Sequence, residues 1–226
     1  KSLYESKSGE RGIFNRQAAK AQAAKNERRD PDHNFGTNPC SEIILRSEEF
    51  CNLSEVVIRS NDTFETLKEK VRLATILGTW QATLTDFRYL SKEWKNNCEE
   101  EALLGVSLTG IMDNALTNGK KKGLEELLIG LKDIAIATNK DWAKKLGINQ
   151  SVAITCVKPS GTVSQLVNSA SGIHARHNQY YIRTVRADKK DPLAKMMIEA
   201  GFPVEDDVTK PAHTVVFSFP MKGPQH

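Results

Sequence analysis

Cysteine is scarce in this chain, four residues in 226. That number excludes a disulfide scaffold and points to a reducing, cytoplasmic compartment. No C-x-x-C pair or paired-histidine spacing accompanies the thiols, so a structural metal site is not expected. Long apolar runs are missing too. None approaches the roughly 20 residues of a membrane span, and the N-terminus lacks the charged-then-apolar order of a signal peptide. No Lys/Arg block with interleaved aromatics occurs, which argues against direct nucleic-acid binding. Lys120-Lys121-Lys122 reads as a solvated turn. No Gly-x-x-x-x-Gly-Lys-Ser/Thr phosphate loop and no internal repeat is present.

What remains is ordinary globular composition: 39% hydrophobic, 27% charged, net charge +4. A chain of this length buries a real core in one or two domains. The mild positive charge suits a protein that handles phosphorylated metabolites. The chain starts at Lys1 without Met and stops at Gly223-Pro224-Gln225-His226, which predicts a piece of a larger polypeptide.

Taken in order, Gly9 and Gly12 around Glu10-Arg11, then Ile13-Phe14, predict a turn entering a short strand. The Ala/Lys-rich stretch 17–29 predicts an exposed helix, stopped by Asp30-Pro31-Asp32. Ile43-Ile44-Leu45 and Val56-Val57-Ile58 read as buried strands. Asn61-Asp62-Thr63 offers an N-cap to a helix from about Phe64 to Phe87, with Leu67, Val71, Ala74, Leu77 and Leu84 at helical spacing. The segment 92–101 is polar, a loop or a short exposed helix. The run 103–110 carries two glycines and predicts a buried strand closely approached by something else. A helix over 124–146 ends at Gly147. A buried strand over 152–157 follows, then a helix opening near Val163, a strand over 180–185, a helix from Asp191-Pro192 to Ala200, and a last strand over 214–219. Strands alternating with long helices predict an α/β fold.

Two stretches carry chemistry. In Asn38-Pro39-Cys40-Ser41-Glu42 a carboxamide, a thiol and a carboxylate alternate, and Cys51 follows eleven residues after Cys40. Extended backbone would turn Asn38, Cys40 and Glu42 to one side, with Pro39 stiffening the approach. Further on, Lys158-Pro159-Ser160-Gly161-Thr162-Val163-Ser164 follows an apolar strand and precedes a helix. Hydroxyls, a glycine and helix-terminal N–H groups together make an anion site. Each feature also has a plainer use: Cys40 as a small buried hydrophobe, Glu42 as an exposed strand-end residue, Asn38 as a turn residue before proline, and the serine-rich loop as a helix cap without a ligand.

Together these motifs resemble the ribonucleotide reductase large subunits: Asn-Pro-Cys-x-Glu with Cys51-Asn52-Leu53-Ser54-Glu55-Val56 is similar to their active-site finger loop, and residues 158–164 to their substrate phosphate loop. The wording is most similar to the adenosylcobalamin-dependent class, in particular its monomeric triphosphate-reducing type. The likeness runs from Gly9 to Pro220. It implies that residues 1–226 form part of a ten-stranded α/β barrel, with a finger loop at about 34–51 and the phosphate loop at about 158–164. It implies that Cys40 becomes a thiyl radical that abstracts the ribose 3′ hydrogen, that Glu42 is general base on the 3′ hydroxyl, and that Asn38 orients the ribose hydroxyls. Cys51 would be half of the reducing dithiol, its partner lying in a part of the barrel this sequence does not contain. Ser160, Gly161, Thr162, Val163 and Ser164 would hold the substrate phosphates. Adenosylcobalamin, a ribonucleoside tri- or diphosphate, a thioredoxin-like reductant and the missing N-terminal part of the barrel are the implied cofactor and partners.

Other candidates are weaker. Cys98 sits in a charged stretch and Cys156 in an apolar one, so neither is expected to pair with Cys51. A Cys40–Cys51 disulfide fits on spacing but would quench a radical site. His174 and His177 are three apart without a third ligand, and Tyr180, Tyr181, Arg183 and Arg186 read as strand or surface residues. The alternatives are a diphosphate reductase using cobalamin or a di-iron partner, a catalytically silent phosphate-binding fragment, and a cysteine-nucleophile transferase, which needs a histidine beside Cys40.

Overall fold

The computed structural model describes residues 1–9 and 12–224. The chain divides into two compact units, 1–175 and 176–226, each described here by itself.

The first unit begins with α1 (Ser2–Ser6) and α2 (Arg16–Ala24). Part of the turn expected at Gly9–Gly12 lies outside the described residues, and Ile13 and Phe14 are exposed and form no strand. With both side chains exposed, a strand there would have no buried face. The Asn15 side chain caps α2 by accepting from Ala18 N at 3.0 Å. Ala19 and Ala23 of α2 pack with Phe35 and Ile44. That contact seats α2 on a short antiparallel hairpin, β1 (Gly36–Thr37) with β2 (Ile44–Leu45), which carries the finger loop.

The core of this unit is a β-helix-β arrangement: β3 (Asn52–Val57), α3 (Phe64–Gln81), α4 (Lys92–Glu101), β4 (Leu104–Thr109) and α5 (Leu124–Leu146). β3 and β4 pair in parallel, Asn52 opposite Leu104 through Val57 opposite Thr109. A parallel pair needs a long crossover, which α3 and α4 supply. Side chains alternate across the two strands. Val56, Leu104 and Val106 face α3 and α5, where Leu67, Val71, Ala74, Leu131 and Ala135 close the core. Leu53, Glu55, Gly105 and Ser107 take the other face.

Several expectations need correction. α3 starts as predicted, with a capping box between Thr63 and Thr66, but ends at Gln81 rather than Phe87. Its buried stripe is Leu67, Val71, Ala74 and Gly78, whereas Leu77 is 58% and Leu84 70% exposed. Gly78 sets the stripe, because a Cβ there would lie 3.2 Å from the Leu104 side chain. Segment 92–101 is a helix whose Asn97, Cys98 and Glu101 are buried. Residues 152–157 do not form a full strand. They lend hydrogen bonds to β4, as in Val106 N to Ile154 O at 2.8 Å, and leave Thr155 and Val157 exposed. No strand covers their far edge among the described residues. α6 (Thr162–Leu166) then opens the phosphate-loop region.

In the second unit, β5 (Tyr180–Asp188), α7 (Pro192–Glu199), β6 (Val204–Asp206) and β7 (Thr214–Lys222) form an antiparallel sheet in the order β5-β7-β6. α7 packs Ala194 on Val215 and Phe217. The strand β6 carries no apolar alternation and is a structural finding alone. Asp207 ends it, holding Thr209, Lys210 and the Arg186 guanidinium (2.7 Å). The Thr209 hydroxyl, then Arg186, keep that carboxyl well below the ordinary range.

The mixed α/β class stands. The described sheets have two, two and three strands, so this chain does not itself close a barrel. No described helix is long and apolar enough to cross a membrane.

The face of β3 and β4 opposite α3 is crowded at one point. A Cβ on Gly105 would lie 2.4 Å from Leu53 Cδ2, 3.2 Å from Ile43 Cδ1 and 3.3 Å from Cys156 Sγ. Glycine is needed there because the finger loop rests on the strand. Gly105→Val is expected to cost about 1–3 kcal/mol of overpacking and to loosen the loop. Lower thermal stability with faster proteolysis inside 36–45 is the expected result; unchanged stability and cleavage contradict it.

Candidate active site

The finger loop is a turn rather than an extended segment. Ser41 N donates to Asn38 O at 3.0 Å, and Ser41 adopts φ +63°. Asn38 begins the turn and Pro39 supplies its fixed φ, which is the ordinary chemistry of those two residue types. The Asn38 side chain spans the loop: its Oδ1 accepts from Ile43 N at 3.1 Å, and Thr37 Oγ1 donates to Ile43 O at 3.0 Å. The alternation expected of Asn38, Cys40 and Glu42 therefore does not form. Asn38 spends its carbonyl on the hairpin and keeps only its amide nitrogen for other work. Cys40 is exposed at the tip. Glu42 is half-buried, with Oε2 enclosed and without a hydrogen-bond partner.

Beneath the hairpin lies a buried charge cluster that the sequence did not signal. Arg29 donates through Nε to Glu101 Oε1 at 3.0 Å, through Nη2 to Glu101 Oε2 and Glu49 Oε2, and through Nη1 to Ile44 O at 2.8 Å. Its guanidinium also stacks 4.6 Å from the Phe35 ring centroid. One cation thus ties the residue entering β1, the strand β2 and the end of α4. Two carboxylates against one arginine leave an excess negative charge. Burial, then the neighbouring Glu101, raises Glu49 to about 8.

Cys51 precedes β3 and continues the run Cys51, Leu53, Glu55 along the finger-loop face. Burial pushes its thiol up, and the charges of Glu42 and Glu49 push the same way, while Lys158 opposes them. Cys156 is pushed up to about 12, again by burial first and then by Glu42 and Cys51, with Lys158 opposing. Both thiols therefore sense the finger-loop carboxylate and the first residue of the phosphate loop. The chain brings together two motifs more than a hundred residues apart. Cys98 stays apart, accepting from Phe50 N at 3.3 Å. All four cysteines are free.

The phosphate loop sorts its residues into two kinds. Ser160 is buried; its hydroxyl donates to Glu55 Oε2 at 3.0 Å and accepts from Ser164 N at 3.2 Å. Ser164 is fully buried and donates to Ser160 O and Gly161 O. These two hydroxyls are committed inside the protein. Gly161, Thr162 and Val163 are exposed, and a Cβ on Gly161 would meet nothing within 4 Å. With φ −84° the Gly161 backbone does not demand glycine either, so the space above it is free for a ligand. Arg59 holds the far end of α6 through Val167 O at 2.6 Å.

His174 is exposed and His177 stacks edge-on with Tyr181 at 6.4 Å. Among the described residues no His/Cys/Asp/Glu group could hold a metal ion.

Comparison with known proteins fits this arrangement. The chain is 30% identical over 214 residues to an adenosylcobalamin-dependent ribonucleoside-triphosphate reductase of Lactobacillus gasseri, covering 83% of this chain and 28% of that protein. It is 32% identical over 215 residues to the Euglena gracilis enzyme of the same name, covering 92% and 28%. The crystal structure of a B-12-dependent, class II ribonucleotide reductase superposes with a TM-score of 0.68 at 27% identity, covering 83% of this chain and 29% of that one. The chain is homologous to a segment of the adenosylcobalamin-dependent ribonucleotide reductases. No family model matches it. It spans about 28% of the length of the curated reductases it matches. The motif spelling singled out Cys40 and Gly161, and it included Glu55 in the stretch Cys51-Asn52-Leu53-Ser54-Glu55-Val56 without a role.

Proposed function

We propose that the chain is the finger-loop and phosphate-loop portion of an adenosylcobalamin-dependent ribonucleoside-triphosphate reductase, and that residues 1–226 belong to a ten-stranded α/β barrel completed by an N-terminal part. One observation carries the reading: the two motifs meet on one face of β3 and β4, Ile43 over Gly105 and Ser160 on Glu55.

Cys40 fits a bulky radical-generating cofactor, since it is exposed at the turn tip and forms no disulfide. When bound, adenosylcobalamin would supply the radical that starts the reaction. Cys40, as a thiyl, would take the ribose 3′ hydrogen, an S–H bond forming as the C3′–H bond breaks. Glu42 accepts the 3′ hydroxyl proton; its unpartnered Oε2 is the acceptor in place for it. Asn38 donates its amide N–H to a ribose hydroxyl. Cys51, held as a thiol by its raised pKa, supplies reducing equivalents with a cysteine from the N-terminal part. A thioredoxin-like dithiol restores it in a reducing cytoplasm. The exposed Gly161, Thr162 and Val163 take the phosphates.

The test is deoxynucleotide formation by this chain combined with the N-terminal polypeptide, adenosylcobalamin, a dithiol and each ribonucleoside triphosphate. Product that depends on the cofactor is expected. Turnover of diphosphates alone, or turnover that needs a di-iron protein instead of cobalamin, refutes the assignment in favour of those relatives. Nucleotide binding without product leaves a silent phosphate-binding fragment.

A further inference from the structure

The carboxylate of Glu55 stands against the first serine of a loop read above as a phosphate site, where Coulomb's law alone would disfavour an anion. Glu55 lies opposite Ser107 on the finger-loop face, two residues along β3 from Leu53. Its Oε2 accepts the Ser160 hydroxyl proton at 3.0 Å, and its Oε1 is enclosed without a partner. With that proton committed, the Ser160 oxygen lone pair accepts Ser164 N at 3.2 Å. The same serine's carbonyl receives the hydroxyls of Ser164 and Ser171. Ser160 is thus the knot of the loop, and Glu55 fixes which way its hydroxyl points. A hydroxyl turned the other way would present its proton to Ser164 N and lose that bond.

We propose that Glu55 is a positioning residue for phosphate binding: it orients Ser160, which anchors the exposed stretch Gly161, Thr162 and Val163 that would contact the anion. The proposal rests on reading residues 158–164 as the phosphate loop. It assigns Ser160 and Ser164 to the support of that stretch and the three exposed residues to the contact. Glu55 acts through Ser160 and touches no ligand. A charge-assisted hydrogen bond of this kind is stronger than a neutral one, so the glutamine variant should keep part of the effect.

The two forces on Glu55 predict opposite signs. If its charge merely sits near the site, removing it relieves repulsion and anion binding tightens. If it positions Ser160, removing it weakens binding. Amide chemical shifts of the 226-residue chain titrated with CTP and with inorganic tripolyphosphate read both affinity and location. The expected result is CTP-induced shifts at Gly161, Thr162 and Val163, about tenfold weaker binding in Glu55→Ala, and an intermediate value in Glu55→Gln. Ser160→Ala, which leaves the carboxylate in place, should match Glu55→Ala, and the double variant should lose no more than either alone. Equal or tighter binding in the Glu55 variants overturns the positioning role while the phosphate loop stands. Should Glu55→Ala not fold, Ser160→Ala with parental affinity overturns it equally. Absence of shifts at 161–163 in the parent chain removes the phosphate-loop reading and this proposal with it.

Discussion

Cys40→Ser is expected to bring deoxynucleotide formation to background while leaving the melting temperature unchanged. An S–H bond is weak enough to be oxidised, yet the resulting thiyl takes hydrogen from an activated C–H. The serine O–H bond is too strong to be oxidised in the same way. Position 40 makes the substitution clean for folding. It is exposed at the tip of the turn, and the turn is held by Asn38, Ser41 and Ile43 rather than by the thiol. A swap of sulfur for oxygen at such a site falls within about 0.5 kcal/mol. Activity in the combined assay and calorimetry of the variant check the two halves. Residual turnover in Cys40→Ser sinks the radical role. An exposed thiol that alkylates unusually fast at neutral pH, with a histidine required for turnover, points instead to a nucleophile.

Arg29→Ala is expected to do the reverse, removing stability before chemistry. It strips the counter-ion from Glu101 and a hydrogen-bond donor from Glu49, both essentially without side-chain exposure, and it releases Phe35 and Ile44 at the base of the finger hairpin. Breaking a buried ion pair by removing one partner costs about 3–5 kcal/mol, a large share of the roughly 5–15 kcal/mol that holds a domain together. Replacing the whole cluster with Arg29→Met, Glu49→Leu and Glu101→Met should recover most of the loss, because uncompensated charge rather than lost attraction sets the cost. A denaturation midpoint for Arg29→Ala equal to the parent's contradicts this account.

The same cluster gives the parent protein a pH dependence. Glu49 keeps its proton to about 8 in the folded chain, whereas an unfolded glutamate releases it near 4.3. Between those values unfolding releases a proton, so stability is greatest at the acid end of the window and declines as pH rises to about 8. The charged groups facing Glu49 are Arg29 and Glu101, with the backbone N–H of Arg46 on Oε2 at 2.8 Å. Melting temperatures between pH 5 and 9 should fall in the parent, and Glu49→Gln should flatten the curve.

Local chemistry made much of this protein readable. Thr63 announced α3, Gly147 ended α5, and Asp191-Pro192 started α7, because caps act on the residues beside them. The glycine-bearing run through Gly105 announced a strand with a close neighbour, though not that the neighbour is Ile43 of the finger loop. The end of α3 was misread because Leu84 continues the apolar spacing while tertiary packing gives it nothing to cover. The spelling of 38–42 and 158–164 is what pointed to the proposed chemistry, since a thiol, a carboxylate and a serine–glycine loop are legible without knowing the fold. Only the tertiary structure decided which atoms are free to do it. It bent 38–41 into a turn, spent the hydroxyls of Ser160 and Ser164 on the loop's own support, and buried Arg29 between two glutamates. Each of those outcomes is a hydrogen bond or a burial involving a partner that the chain's order does not reveal.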